Sequence, residues 1–149
     1  MPTVELQVPV APAHVRTARL VAVAAARRAG MPEDLLDEVR LGVGEACARA
    51  VALHLLHAPD VPVVVRITDE EGQLTVAVAD VGPSPQHERA GLPDLAGSSL
   101  MHLEPADPRV PLAFLAGLVD DLTILPGPHG TTVRLRWPLP VRMPASLPL

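Results

Sequence analysis

The sequence has no lysine and no tyrosine, and only one residue each of cysteine, tryptophan and phenylalanine. Each scarcity excludes something. A single cysteine, Cys47, leaves no intramolecular disulfide to hold the fold, and makes a reducing, cytoplasmic setting the default. With aromatics at 1% and hydrophobic residues at 48%, the core has to be built from Val, Leu and Ala. The twelve basic residues are all arginine, set against seventeen acids for a formal net charge of −5. That balance argues against direct nucleic-acid binding, which needs cations to neutralise phosphates, and suits a basic partner. Long hydrophobic runs are missing too. The apolar stretch at 20–26 is bracketed by Arg19 and Arg27, well short of the roughly 20 residues that span a bilayer. The first residues show no basic start followed by an apolar run, so neither a signal peptide nor a membrane segment is expected.

What is present is a succession of short periodic segments within the length of one domain. Residues 3–8 alternate polar and apolar, which predicts a strand closed by Pro9 and Pro12. Residues 15–29 predict a helix stopped by Gly30 and Pro32. The next helix starts with Pro32, Glu33 and Asp34, residues suited to a positive helix end. Its Leu36, Val39, Val43, Ala46, Ala50 and Leu53 recur at steps of three and four, one buried stripe ending near Ala58-Pro59.

Residues 61–68 and 73–80 read as a hairpin around a turn at 69–72, with Leu74, Val76, Val78 and Asp80 on one face. The segment 81–107, rich in Pro, Gly, Ser and His, has no period and reads as a long loop, functional or mobile. Asp107-Pro108 then opens a third helix running to Val119. Strands at 121–125 and 131–137 flank the turn-forming Pro126-Gly-Pro-His-Gly130. The proline-rich tail, 138–149, is expected to be extended or disordered, leaving a domain at 1–137. Strands pairing mainly in hairpins, with helices to cover one face, predict an α+β chain folded as a two-layer α/β sandwich.

Several polar residues sit where chemistry is expected. Glu45 and Arg49 share a helical face; as a simple ion pair they are worth about 0.3–0.5 kcal/mol. Gly42 and Gly44 each cost roughly 0.8–1 kcal/mol in a helix, a cost tolerated where another backbone or a ligand approaches. Asp80 falls on the strand face turned to the helices, where a carboxylate needs a partner. It either caps its own loop through Gly82 or accepts the amino group of a bound base. Gly130-Thr131-Thr132 opens the last strand as ordinary hairpin chemistry. The six histidines, among them His54 and His57, complete no metal-ligand set by spacing and read as surface or helix-end residues.

In combination, three segments resemble the anti-sigma serine kinases, a branch of the histidine-kinase-like ATPases. Leu36-Asp-Glu-Val-Arg-Leu-Gly-Val-Gly-Glu-Ala-Cys-Ala-Arg-Ala-Val51 is similar to their N-box helix, and Val78-Ala-Asp-Val-Gly-Pro83 to their first glycine box. Residues 115–135 are similar to their closing helix and hairpin. The resemblance implies a Bergerat-type sandwich, a mixed and mostly antiparallel sheet with helices on one face. It implies ATP and magnesium as cofactors, a sigma factor as partner, an anti-anti-sigma protein of STAS type as antagonist, and a homodimer. Glu45 matches the general base. Asp80 and Gly82 match the adenine-reading pair, and Thr131 and Thr132 the threonines that close the base pocket.

Three departures weaken the phosphate end. Arg49 stands where the family has its magnesium-bearing asparagine, and a guanidinium offers a metal no oxygen. Some actinobacterial anti-sigma proteins look similar at that position. Ser84 replaces a glycine, and Arg109-Val-Pro111 replaces a glycine-rich lid. Arg49 is expected either to pair with Glu45 in place of the metal or to hold a phosphate. Three functions follow: an anti-sigma factor with a degenerate nucleotide pocket, an active serine kinase of an anti-anti-sigma factor, or a sensor that takes another small ligand through Asp80 and Arg49.

Overall fold

The structure, a computed structural model, describes residues 2–82 and 115–140. Its first strand, β1, is Thr3–Val8, as the alternation predicts. Helix α1 is Pro12–Arg28 and starts earlier than expected. Pro12 fits the first helical turn, where its missing N–H would have no partner in any case. Arg27 and Arg28 close α1 at its negative end. Gly30 then turns the chain at φ 89°, a left-handed conformation that favours glycine.

Helix α2 is Glu33–His57. All six residues of its predicted stripe are buried. Strand β2, Val63–Glu70, begins two residues later than expected. The Val61 N–H bonds back to the Ala58 carbonyl at 3.0 Å, so the chain is still turning there. Strand β3 is Gln73–Ala79, and Gly72 makes the hairpin turn at φ 83°. Residues 115–118 form a helical turn. Strands β4, Asp121–Gly127, and β5, Gly130–Pro138, form the last hairpin. It reaches further into the Pro-Gly-rich turn than expected, with Pro126 opposite Thr131. β4 is an edge strand, where a missing N–H is tolerated.

The sheet order is β1-β2-β3-β5-β4. Every pairing among the described strands is antiparallel. One face carries Val63, Val65, Ile67, Leu74, Val76, Val78, Val133, Leu135 and Trp137, all buried against the two helices. The opposite face, with Arg66, Arg134 and Arg136, is exposed or half-buried except at Thr75. This is the two-layer α+β sandwich with helices on one side.

The helical glycines answer to packing. A Cβ on Gly42 would sit 3.2 Å from Val119 Cγ2 and 3.3 Å from Trp137 Cζ2, so the missing side chain lets α2 lie close on β5. A Cβ on Gly44 would come 2.8 Å from Arg19 Cδ, where α1 crosses. Trp137 keeps its indole N–H satisfied on Glu38 at 2.9 Å. No helix among the described residues is long and apolar enough to cross a membrane. The expected loop beyond Gly82, Ser84, the start of the third helix with Arg109-Val-Pro111, and the tail from residue 141 lie outside the described residues.

Candidate functional site

Asp80 is the centre of the site. β3 ends one residue before it, but the ladder continues. The Asp80 N–H donates to the Thr131 carbonyl at 2.9 Å, and the Thr131 N–H donates back to the Asp80 carbonyl at 3.2 Å. Residues opposed in this way point their side chains to the same face. Asp80 and Thr131 therefore both face the helices, and both are buried.

The Asp80 carboxylate is used on both oxygens. Oδ1 accepts the Gly82 N–H at 2.8 Å, closing a tight turn at the end of the strand. Oδ2 takes Arg49 Nη1 at 2.7 Å. The side chains of this ion pair are 0% and 1% exposed. Arg49 therefore follows neither expected course: its ion pair crosses to the sheet, to Asp80, rather than running along α2 to Glu45, and its guanidinium serves a carboxylate of its own chain. The physical reason is burial. Arg49 lies on the sheet-facing side of α2, and a charge removed from water needs an opposite charge within reach. The set gives magnesium no oxygen at position 49, and the chain contains no asparagine to supply one.

Glu45 is half-buried. It lines a separate cavity of about 290 Å³ between α1 and α2, with Arg19, Arg40, Gly44 and Leu55 among its walls. Thr132 pairs with Ala79 and, by strand alternation, points to the open face of the sheet. Of the predicted residues, the fold brings together Arg49, Asp80, Gly82 and Thr131. It sets Thr132 on the other face and Glu45 in the groove.

Two features of the site were missed. The first is His54, read from the sequence as a surface or helix-end residue. It is fully buried. Its Nε2 accepts the Val81 N–H at 2.9 Å, and its Nδ1 lies 2.7 Å from the Val61 carbonyl. A nitrogen that accepts carries no proton, so the ring is neutral, with the proton on Nδ1. His54 ties the end of α2 to the chain on both sides of the hairpin, next to Asp80. Its three-residue spacing from His57 suggested a pair, whereas its place one step past Leu53 on the buried stripe was the useful signal.

The second is the approach of Gly130 to Asp80. A Cβ on Gly130 would run into the Asp80 carbonyl group and come 2.8 Å from Val81 Cα. Glycine there lets the start of β5 lie against the chain leaving β3. The Thr131 hydroxyl ends up buried and, among the described residues, has no hydrogen-bond partner. Cys47, also fully buried, has its thiol pushed up to about 12 by burial, against the opposing pull of the Arg19 charge.

Comparison with known proteins agrees with this architecture. Sequence comparison with curated proteins gives no significant match. A solved structure, the crystal structure of the RsbU and RsbW domains of Rv1364c from Mycobacterium tuberculosis, superposes on 96% of this chain with a TM-score of 0.65 and 21% sequence identity. The superposition takes in 34% of that longer chain, so the present chain spans about a third of it. At this identity the likeness establishes the fold. Residues 8–137 match the histidine kinase-like ATPase domain, and the chain belongs to that family.

Proposed function

We propose that this protein is an anti-sigma factor that works as a binding module: it holds an alternative sigma factor inactive and releases it by partner switching, with a nucleotide pocket that has lost kinase chemistry. The observation that carries this reading is the buried Arg49–Asp80 pair. In the family resemblance, position 49 belongs to the metal and position 80 to the adenine. Here the two residues are bonded to each other. A carboxylate with both oxygens engaged and a side chain 1% exposed has to lose Arg49 before it can read a base. The residues present at this end therefore do not fit ATP with magnesium.

The RsbW domain named in the structural match supports the partner-switching class. The net charge of −5 suits a partner with a basic, DNA-contacting surface. The sensor reading loses ground on the same observation, because the two residues that would take the ligand occupy each other.

The test is calorimetric. The protein is titrated with the alternative sigma factors of its source, with and without ATP and magnesium, and the titration is repeated on Glu45→Ala. Tight binding of one sigma factor, independent of nucleotide and retained by Glu45→Ala, is the expected result. Transfer of phosphate to a serine of a STAS-type protein, abolished by Glu45→Ala, would overturn the reading in favour of an active kinase.

A further inference from the structure

We propose that the polar cradle formed by Asp80, Gly82 and Thr131 is a guanidinium-binding site, and that Arg49 is its built-in ligand, filling from within the chain a place the fold otherwise offers to a molecule from outside. The inference deepens the reading above and rests on it for its biological meaning. Its test uses no sigma factor, so the two can fail separately.

The cradle has the chemistry for one planar cation. Asp80 presents a carboxylate whose Oδ1 is oriented by the Gly82 N–H at 2.8 Å, leaving Oδ2 for Arg49 at 2.7 Å. A guanidinium is flat, permanently charged and spreads its N–H groups around one plane, so a single nitrogen can serve Oδ2 while the others face further acceptors. The walls are tight. A Cβ on Gly82 would lie 3.3 Å from Leu53 Cβ and 3.2 Å from Asp80 Oδ1, and a Cβ on Gly130 would meet the Asp80 carbonyl. The Gly130 side has no room for a methyl group and the Gly82 side has little, which favours a thin planar group over a bulkier one.

The Thr131 hydroxyl is a further, independent sign. It is buried on the same face as Asp80, directly across the ladder, and has no hydrogen-bond partner among the described residues. A buried polar atom left unsatisfied is unfavourable. The tethered side chain therefore does not exhaust the hydrogen-bonding capacity of the cradle. A free guanidinium, not anchored to α2, has N–H groups enough to serve both the carboxylate and the hydroxyl.

The consequence is a clamp that does not depend on any dissolved molecule. Arg49 stands on α2, Asp80 follows β3, and Thr131 lies on β5. The ion pair joins the helix layer to the sheet where two adjacent strands meet. Because the cation is part of the chain, its effective concentration is fixed by the fold, and the helix stays docked whether or not nucleotide is present.

The experiment is chemical rescue of Arg49→Ala. Loss of one partner of a buried pair should lower the melting temperature by about 10 °C. Methylguanidinium chloride, at tens of millimolar, should recover part of that loss. Methylammonium chloride at the same ionic strength should not, and neither salt should rescue Arg49→Ala combined with Asp80→Asn. Absence of a guanidinium-specific recovery would overturn the proposal. So would a melting temperature for Arg49→Ala equal to that of the wild type. If Arg49→Ala is unfolded at room temperature, recovery of helical circular dichroism replaces the melt. A second comparison then decides: Arg49→Met with Asp80→Leu should fold where each single variant is far less stable, and a double variant no better than the singles refutes the clamp. ATP with magnesium should leave the wild-type melt unmoved; a clear upward shift would show that Arg49 does not occupy the site.

Discussion

Helix α2 carries two arginine–carboxylate pairs with almost the same bond length. Arg40 reaches Asp37 at 2.8 Å and Arg49 reaches Asp80 at 2.7 Å. The first is local and wet, with side chains 47% and 76% exposed. The second crosses from helix to sheet and is dry. Length alone says nothing of what each does. Water already solvates the surface pair, so its formation is worth about 0–1 kcal/mol. Neither member of the buried pair has water to fall back on, so removing one costs about 3–5 kcal/mol. The same contrast separates the two cavities of charge on this helix. Glu45, in the groove beside α1, keeps access to solvent, whereas Arg49, one turn further on, is buried and ion-paired to Asp80.

The sharpest way to break the contrast is to remove the cation on each side. Arg49→Met should destabilise the fold by about 3–5 kcal/mol in urea melts, while Arg40→Met should stay within about 1 kcal/mol. Similar losses at both positions would mean that the seam is wetter than its burial implies. The next effect belongs to His54, which supports the chain beside Asp80. His54→Phe keeps the bulk but strands the Val81 N–H and the Val61 carbonyl, a loss of about 2–4 kcal/mol. Amide hydrogen exchange at Val81 should accelerate with it, and an unchanged rate would mean that the imidazole does not hold that segment.

Cys47 tests the α1–α2 side by pH. Its thiol is raised from 9.0 to about 12 by burial. Between those values the unfolded chain releases this proton and the folded chain keeps it, so stability should fall by about 1.4 kcal/mol per pH unit as pH rises. Below the lower value the thiol is protonated in both states and the slope vanishes. With no lysine and no tyrosine in the chain, few other groups obscure this window. Urea midpoints from pH 8 to 11 measure the slope, and a flat profile would show that the thiol reaches water. Thr131→Val removes a buried hydroxyl with no partner among the described residues and should stabilise the fold by about 1 kcal/mol; a comparable loss would place a bound water on that hydroxyl. Smallest of all, Glu45→Gln in the groove should leave stability within about 0.5 kcal/mol.

Much of the architecture was legible in the residues. The stripe from Leu36 to Leu53, the alternation on β3 and β5 and the glycines at 30, 72 and 130 are local signals, and each acts over one or two turns of chain. They located both long helices and all five described strands, with errors of up to three residues at ends where Pro12 and Ala58 decide the boundary. The site was half legible. Asp80 announced itself as a carboxylate on a buried face, and Arg49 as a departure from a helical pattern. Their bond was not visible, since 31 positions separate them. Thr131 and Thr132 read as a pair because they are adjacent, yet strand alternation sends them to opposite faces. His54 was misread because histidine has no fixed preference for surface or core; the two backbone groups that satisfy its ring come from segments 7 and 27 residues away.

The sequence by itself determined the elements, their order, the buried face of each and the need of Asp80 for a partner. These follow from periodicity and from the cost of burying charge, both of which are properties of short segments. Only the tertiary structure decided which partner that would be. Placing α2 across β3 and β5, with Gly42 letting it lie close on Trp137, put Arg49 over Asp80 and left Glu45 in the groove beside α1. Arg49 and Glu45 stand one turn apart on one helix, and the packing of that helix against the sheet on one side and α1 on the other separates the charge that must be paired from the charge that water can keep.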